Sequence, residues 1–125
     1  MIKENELRIG NFYEWSDDDE KDLYRIEDAY SLYEKSKIIN ELIPVELTPE
    51  WLIKFGFKKI DCHRFKLKPS KFDWYYTYSF HDNAFRFHVH NTIVCISVIF
   101  YVHQLQNLYF ALIGEELELK TTFKQ

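Results

Sequence analysis

His88 and His90 stand two residues apart in a stretch, Ala84 to His90, that alternates apolar and polar side chains. On a strand this spacing projects both imidazoles from one face, as a two-ligand metal site requires. His81 or Asp82, at the preceding turn, is placed to supply a third ligand. The same pattern is also the ordinary one for a solvated strand face, and that reading is preferred, so neither a metal nor a cofactor is expected. Cys62-His63 sets a thiol beside a base, the pairing that thiolate catalysis uses. Neighbours on a strand point to opposite sides, however, and a tight turn accounts for the pair better. The carboxylates Asp17 to Glu20 suit a hard cation, but the spacing and glycine of a calcium loop are absent, which leaves a solvated loop. The sequence contains no P-loop, GxGxxG, GxSxG or HExxH. No catalytic residue is assigned, and the chain is expected not to be an enzyme. Distant groups converging without a local motif stay open as a third reading.

Two patterns suit binding instead. Lys54, Lys58, Lys59, Arg64, Lys66, Lys68 and Lys71 interleave with Phe55, Phe57 and Phe65 and precede Phe72, Trp74, Tyr75 and Tyr76. Cations pair with phosphates while exposed rings stack on bases, so this composition suits single-stranded nucleic acid. The competing reading is a β-hairpin with lysines outward and rings in the core. The second pattern lies on the segment Tyr101 to Ile113. There Val102, Leu105, Leu108, Tyr109 and Leu112 recur at helical spacing, while His103, Gln104, Gln106, Asn107 and Phe110 take the other side. Amides with one outward ring fit a protein interface, whether with another protein or a second copy. The alternative is a second layer of the same domain covering that face.

The elements that must position these groups follow from local chemistry. Leu7 to Tyr13 delivers the chain into a first strand through Trp15, and Leu23 to Ile26 returns after the acidic loop. Residues 28–42 read as a short helix or an irregular excursion, and Ile43 to Leu47 as an extended stretch. Thr48-Pro49-Glu50 starts a helix: Thr48 caps free N–H groups, Pro49 fits the first position, and Glu50 complements the dipole. Gly56 stops it, with Trp51, Leu52 and Phe55 on one face. Phe57 to Ile60 and Phe65 to Leu67 form a hairpin around Asp61-Cys62-His63. Trp74 to Phe80 is a strand that puts Trp74, Tyr76, Tyr78 and Phe80 on one side, and His81-Asp82-Asn83 turns the chain into Ala84 to His90. Thr92 to Phe100 is apolar on both parities, which predicts a central strand covered on both faces. Gly114 ends the last helix, and Leu117, Leu119 and Phe123 continue as a strand or tail. The fold class is therefore α+β. A single compact domain over 1–125 is expected, mainly antiparallel sheet, with a short central helix and a C-terminal amphipathic helix packed on one face.

Bulk properties bound the rest. With 125 residues, 46% hydrophobic and only 3 Gly and 3 Pro, the chain has the length and composition of one globular domain. Its 11 Phe, 9 Tyr and 3 Trp are enough to leave rings on the surface. A net charge of −4 selects no strongly charged partner. Within it, residues 14–28 carry eight acids against Lys21 and Arg25, and residues 54–71 carry seven bases against Asp61. From the polar start and the absence of an apolar run near 20 residues, neither a secretion signal nor a membrane helix is expected. Cys62 and Cys95, outside CxxC spacing, read as buried free thiols of a reducing cytoplasm.

Three blocks carry a resemblance: Glu6-Leu7-Arg8-Ile9-Gly10-Asn11; Ile43-Pro44-Val45-Glu46-Leu47-Thr48-Pro49-Glu50-Trp51-Leu52-Ile53-Lys54-Phe55-Gly56-Phe57; and Tyr101 to Leu112, running on through Ile113-Gly114-Glu115-Glu116-Leu117. Together they resemble a family of small proteins without established activity, encoded by Bacteroidota and by their phages and prophages. The resemblance implies a small intracellular domain carried partly on mobile DNA, acting in the host cytoplasm, and transfers no catalytic residues. The expected function is a non-enzymatic accessory module that works through protein–protein contacts, inhibition of a host protein being one form. The alternative is a nucleic-acid-binding accessory protein using residues 54–76. No membrane partner is expected.

Overall fold

The computed structural model describes residue 2 and residues 6–17, 20–68 and 73–119. The fold is α+β, mainly antiparallel sheet, and the chain forms two compact units. One is Met1–Leu47 with Tyr101–Leu117, the other Thr48–Phe100 with Glu118–Gln125. No helix among the described residues is long and apolar enough to cross a membrane.

In the first unit, β1 (Phe12–Asp17) and β2 (Glu20–Arg25) pair antiparallel, Phe12 opposite Arg25 and Asp17 opposite Glu20. Of the expected acidic loop Asp17 to Glu20, the outer two residues belong to the strands, and Asp18 and Asp19 lie outside the described residues. Asp28 caps α1 (Ala29–Ser36) by accepting from the Ser31 amide at 2.7 Å, so the ambiguous stretch after the hairpin resolves into a helix, followed by one 3-10 turn at Ile39–Glu41. Ile43 then lies beside Glu14, exchanging backbone bonds of 2.8 and 2.7 Å. Ile2, Leu7, Tyr13, Ile26 and Leu42 form the core cluster, with Trp15, Leu32, Ile38 and Ile39 packed on it. Each large apolar side chain so buried contributes about 1.5–3 kcal/mol. α3 (Val102–Ile113) packs against β1 and ends at Gly114, which adopts the left-handed conformation at φ 83°.

The second unit begins with α2 (Pro49–Lys54). Thr48 Oγ1 accepts from the Trp51 amide at 3.4 Å, Pro49 occupies the first turn, and Trp51 and Leu52 are buried. Five antiparallel strands follow as a meander: β3 (Lys58–Lys59), β4 (Arg64–Leu67), β5 (Tyr75–Ser79), β6 (Ala84–Val89) and β7 (Thr92–Val98). Period-two alternation buries Phe65, Leu67, Tyr76, Tyr78 and Phe85. Tyr76 and Phe85 stack at 5.0 Å. The Tyr78 hydroxyl donates to the Ile99 carbonyl at 2.7 Å and accepts from Asn83 Nδ2 at 3.1 Å.

Three expectations are corrected. Among the described residues β7 is an edge strand, next to β6 alone, and not a central one. Its continuous apolar run imitates the pattern of a strand buried on both faces, because periodicity reads side chains and not neighbours. Next, β6 ends at Val89, and His90 sits in the turn with φ 55°. Finally, both cysteines are free but exposed, Cys62 in the β3–β4 turn and Cys95 on β7.

Candidate functional site

The polar residues of α3 are used largely inside the first unit. Gln106 is fully buried. Its Oε1 accepts from the Phe12 amide at 3.1 Å and its Nε2 donates to the Gly10 carbonyl at 2.7 Å. Asn107 donates to the Glu6 carbonyl at 2.6 Å and accepts from Asn11 Nδ2 at 2.9 Å and Arg8 Nε at 2.8 Å. His103 is buried, with Nε2 3.0 Å from Glu6 Oε1. Gln104 caps its own helix by accepting from the Tyr101 amide at 3.2 Å. Of the five residues expected at an interface, His103 and Gln106 therefore offer no surface. The Gln106 amide satisfies the Gly10 carbonyl and the Phe12 amide at the entry to β1, and the His103 imidazole meets the Glu6 carboxylate. Phe110 remains exposed, with the Arg8 guanidinium 4.5 Å over its ring.

Arg8, Arg25, Phe110 and Glu116 also line an open groove of about 570 Å³. Its cations are engaged: Arg8 pairs with Glu116, and Arg25 Nε donates to the Gly10 carbonyl at 3.1 Å.

The basic residues spread over the second unit with their aromatic neighbours inward, since Phe55, Phe57 and Phe65 are all buried. Lys54 pairs with Glu50 at 3.6 Å, and Arg64 with Asp61 at 2.7 Å. That pairing holds the Asp61 carboxyl well below the usual range, at about 2, helped by backbone amides. Lys59 is exposed on β3, and Lys71 lies outside the described residues. Lys58 and Lys66 face each other across β3 and β4, and with Lys68 and Gly56 they line a notch of about 340 Å³. Lys66 Nζ also lies 4.2 Å over the Tyr75 ring.

The structure separates the two histidines expected to share a strand face. His88 Nε2 lies 2.8 Å from Thr77 Oγ1 and its ring stacks on Tyr75 at 4.6 Å, while His90 leaves the strand with the turn. Burial and the nearby Arg86 and Lys66 push the His88 imidazole below its ordinary value. Cys62 and His63 lie in the tight turn expected for them, where the alternation of a strand does not apply, and there Sγ and Nδ1 come within 3.2 Å. Among the described residues, Asp61, Cys62 and His63 form the group whose donor atoms lie close enough to hold one metal ion.

The feature that local patterning misplaced is β7. Ile93, Val94 and Val98 are 62%, 47% and 51% exposed, and Phe100 just beyond is 49% exposed. The strand carries no charge over its 7 residues. Its register slips between Phe85 and Arg86, which pair with Ser97 and Cys95 and leave Ile96 bulged, so Thr92 to Cys95 is the regular part of the open edge. At the other end of the sheet the edge strand is a two-residue pair of lysines, the usual protection against strand addition. No family model, no curated protein and no solved structure matches this chain.

Proposed function

We propose that the protein is a non-enzymatic binding module acting through contacts with other proteins, with β7 as its contact edge. The observation that carries this reading is the uncharged strand Thr92–Val98, open along one side among the described residues, with Ile93 and Val94 exposed. An edge of unpaired backbone groups accepts an extended segment of a partner as an added strand, and apolar side chains beside it supply the buried contact. The opposite edge, short and cationic, disfavours the same addition. The resemblance to small phage and prophage proteins is consistent with an accessory role, a host protein being one class of partner. The test is affinity capture with the full chain and with the Ile93→Lys/Val94→Lys variant. A protein retained by the first and lost by the second supports the reading. Equal retention by both, or no protein retained, overturns it.

A second reading rests on Lys58, Lys66 and Lys68 around one notch with Tyr75 adjoining. Like charges placed opposite each other are unfavourable unless an anion joins them, and a phosphate backbone beside a stacking ring fits that need. Fluorescence anisotropy with labelled single strands checks it. A binder weakens steeply as salt rises, and Lys66→Glu abolishes the signal. Absence of binding at low salt rejects this reading.

A further inference from the structure

We propose that the β3–β4 turn is a binding site for a soft or borderline divalent cation of the zinc class, formed by Cys62, His63 and Asp61 with His81 as fourth donor. The proposal is independent of the β7 edge. Cys62 Sγ lies 3.2 Å from His63 Nδ1, and His63 Nδ1 lies 3.9 Å from Asp61 Oδ1. All three donor atoms fall within 4.8 Å of one another. Zinc bonds of roughly 2.3 Å to sulfur and 2.0 Å to nitrogen or oxygen, tetrahedrally arranged, set neighbouring donors about 3.3–3.6 Å apart. The observed separations bracket that spacing. The His63 and His81 ring centroids are 5.6 Å apart. Two imidazoles on one tetrahedral ion stand with centroids roughly 5 Å apart, by the same bond lengths. His81, on the β5–β6 turn, stands just outside the group of three donors, and a small movement of its ring brings a nitrogen to the ion as the fourth.

The turn does not need these groups to close. Asp61 Oδ1 accepts from the His63 and Arg64 amides at 3.1 and 3.0 Å, and Arg64 Nε holds Oδ2 at 2.7 Å. The Phe80 amide donates to the His63 carbonyl at 2.8 Å. The thiol and the His63 imidazole take no part in that closure and still converge, with the His81 ring beside them. Asp61, oriented by Arg64 as ligating carboxylates commonly are by an outer partner, supplies negative charge. With its oxygens already accepting hydrogen bonds it is the weakest of the four donors. Sulfur with imidazole selects zinc, cobalt or nickel over magnesium and calcium.

Cobalt(II) titration of the full chain under reducing conditions tests the site, because a thiolate-to-cobalt charge-transfer band reports sulfur ligation directly. The expected result is saturable one-to-one binding with that band, reversed by zinc. Cys95→Ser retains both. Cys62→Ser loses the band, and His63→Ala and His81→Ala each weaken binding at least tenfold. All three positions are at or near the surface, and circular dichroism confirms that the variants fold. No saturable band, a band lost in Cys95→Ser, or undiminished affinity in Cys62→Ser, His63→Ala or His81→Ala overturns the proposal.

Discussion

Arg8 and Glu116, 108 positions apart, form an ion pair that joins the Leu7–Asn11 turn to the segment following α3. Arg8 also donates to Asn107 Oδ1 at 2.8 Å and to the Gln106 carbonyl at 3.2 Å. One guanidinium thus gathers a carboxylate, an amide and a helix carbonyl. Hydrogen bonds to charged groups contribute about 1.5–3 kcal/mol where they are shielded, and this pair is about three-quarters shielded at 28% exposure of each side chain. Arg8→Ala is expected to lower stability by about 2 kcal/mol, read as a fall in the urea midpoint at unchanged slope.

Gly10 makes this arrangement possible. Its φ of +98° lies where only glycine is unstrained, and an added Cβ would stand 3.2 Å from Glu116 Oε1. Gly10→Ala is expected to cost at least about 1 kcal/mol from backbone strain alone. Because Glu116 must also shift, the loss in a double variant with Glu116→Ala falls short of the sum of the single losses. A thermodynamic double-mutant cycle measures that coupling.

Gln106 serves two backbone groups at once, so Gln106→Ala strands the Phe12 amide and the Gly10 carbonyl. The expected loss is about 2–4 kcal/mol, from two polar groups left without partners. Gln106→Glu keeps the acceptor, loses the donor and buries a charge, and is expected to be at least as damaging. Chemical denaturation of both variants gives the comparison.

His103 predicts a pH dependence. Burial pushes its imidazole below the ordinary value, and the Glu6 carboxylate opposes the shift. Nδ1 is buried without a hydrogen-bond partner among the described residues, so protonation there would place an unsatisfied donor in the interior. The unfolded chain, titrating near about 6.5, binds the proton more readily than the folded one. His103's contribution to stability is therefore complete above that pH and is lost as pH falls through the folded value. Urea midpoints measured from pH 7.5 to 5 are expected to decline, and to decline less in His103→Gln. An equal decline in the variant removes His103 as the cause.

At β7, Ile93→Lys is expected to leave stability within about 0.5 kcal/mol, because the side chain is already 62% exposed. Thermal denaturation checks this, and a large drop would mean that Ile93 supports the fold instead of a contact.

Local chemistry was enough to place much of this fold. Thr48 and Pro49 marked the start of α2, Gly114 the end of α3, and the alternation through Tyr76, Tyr78 and Phe85 the buried face of the sheet, since caps and period-two patterns act over a few residues. What a strand lies beside is a different matter. Thr92 to Val98 has the composition of a central strand and sits at the edge, because strand order depends on how hairpins stack and not on any one segment. Likewise, amides on α3 that suggested an outward interface are turned inward. Their partners at Glu6, Gly10 and Phe12 lie 94 to 101 residues away along the chain, and only folding brings those backbone groups within bonding distance. Cys62 and His63 show both sides: their tight turn was legible in the sequence, while the approach of the His81 ring to His63 exists only once β4 and β5 have paired.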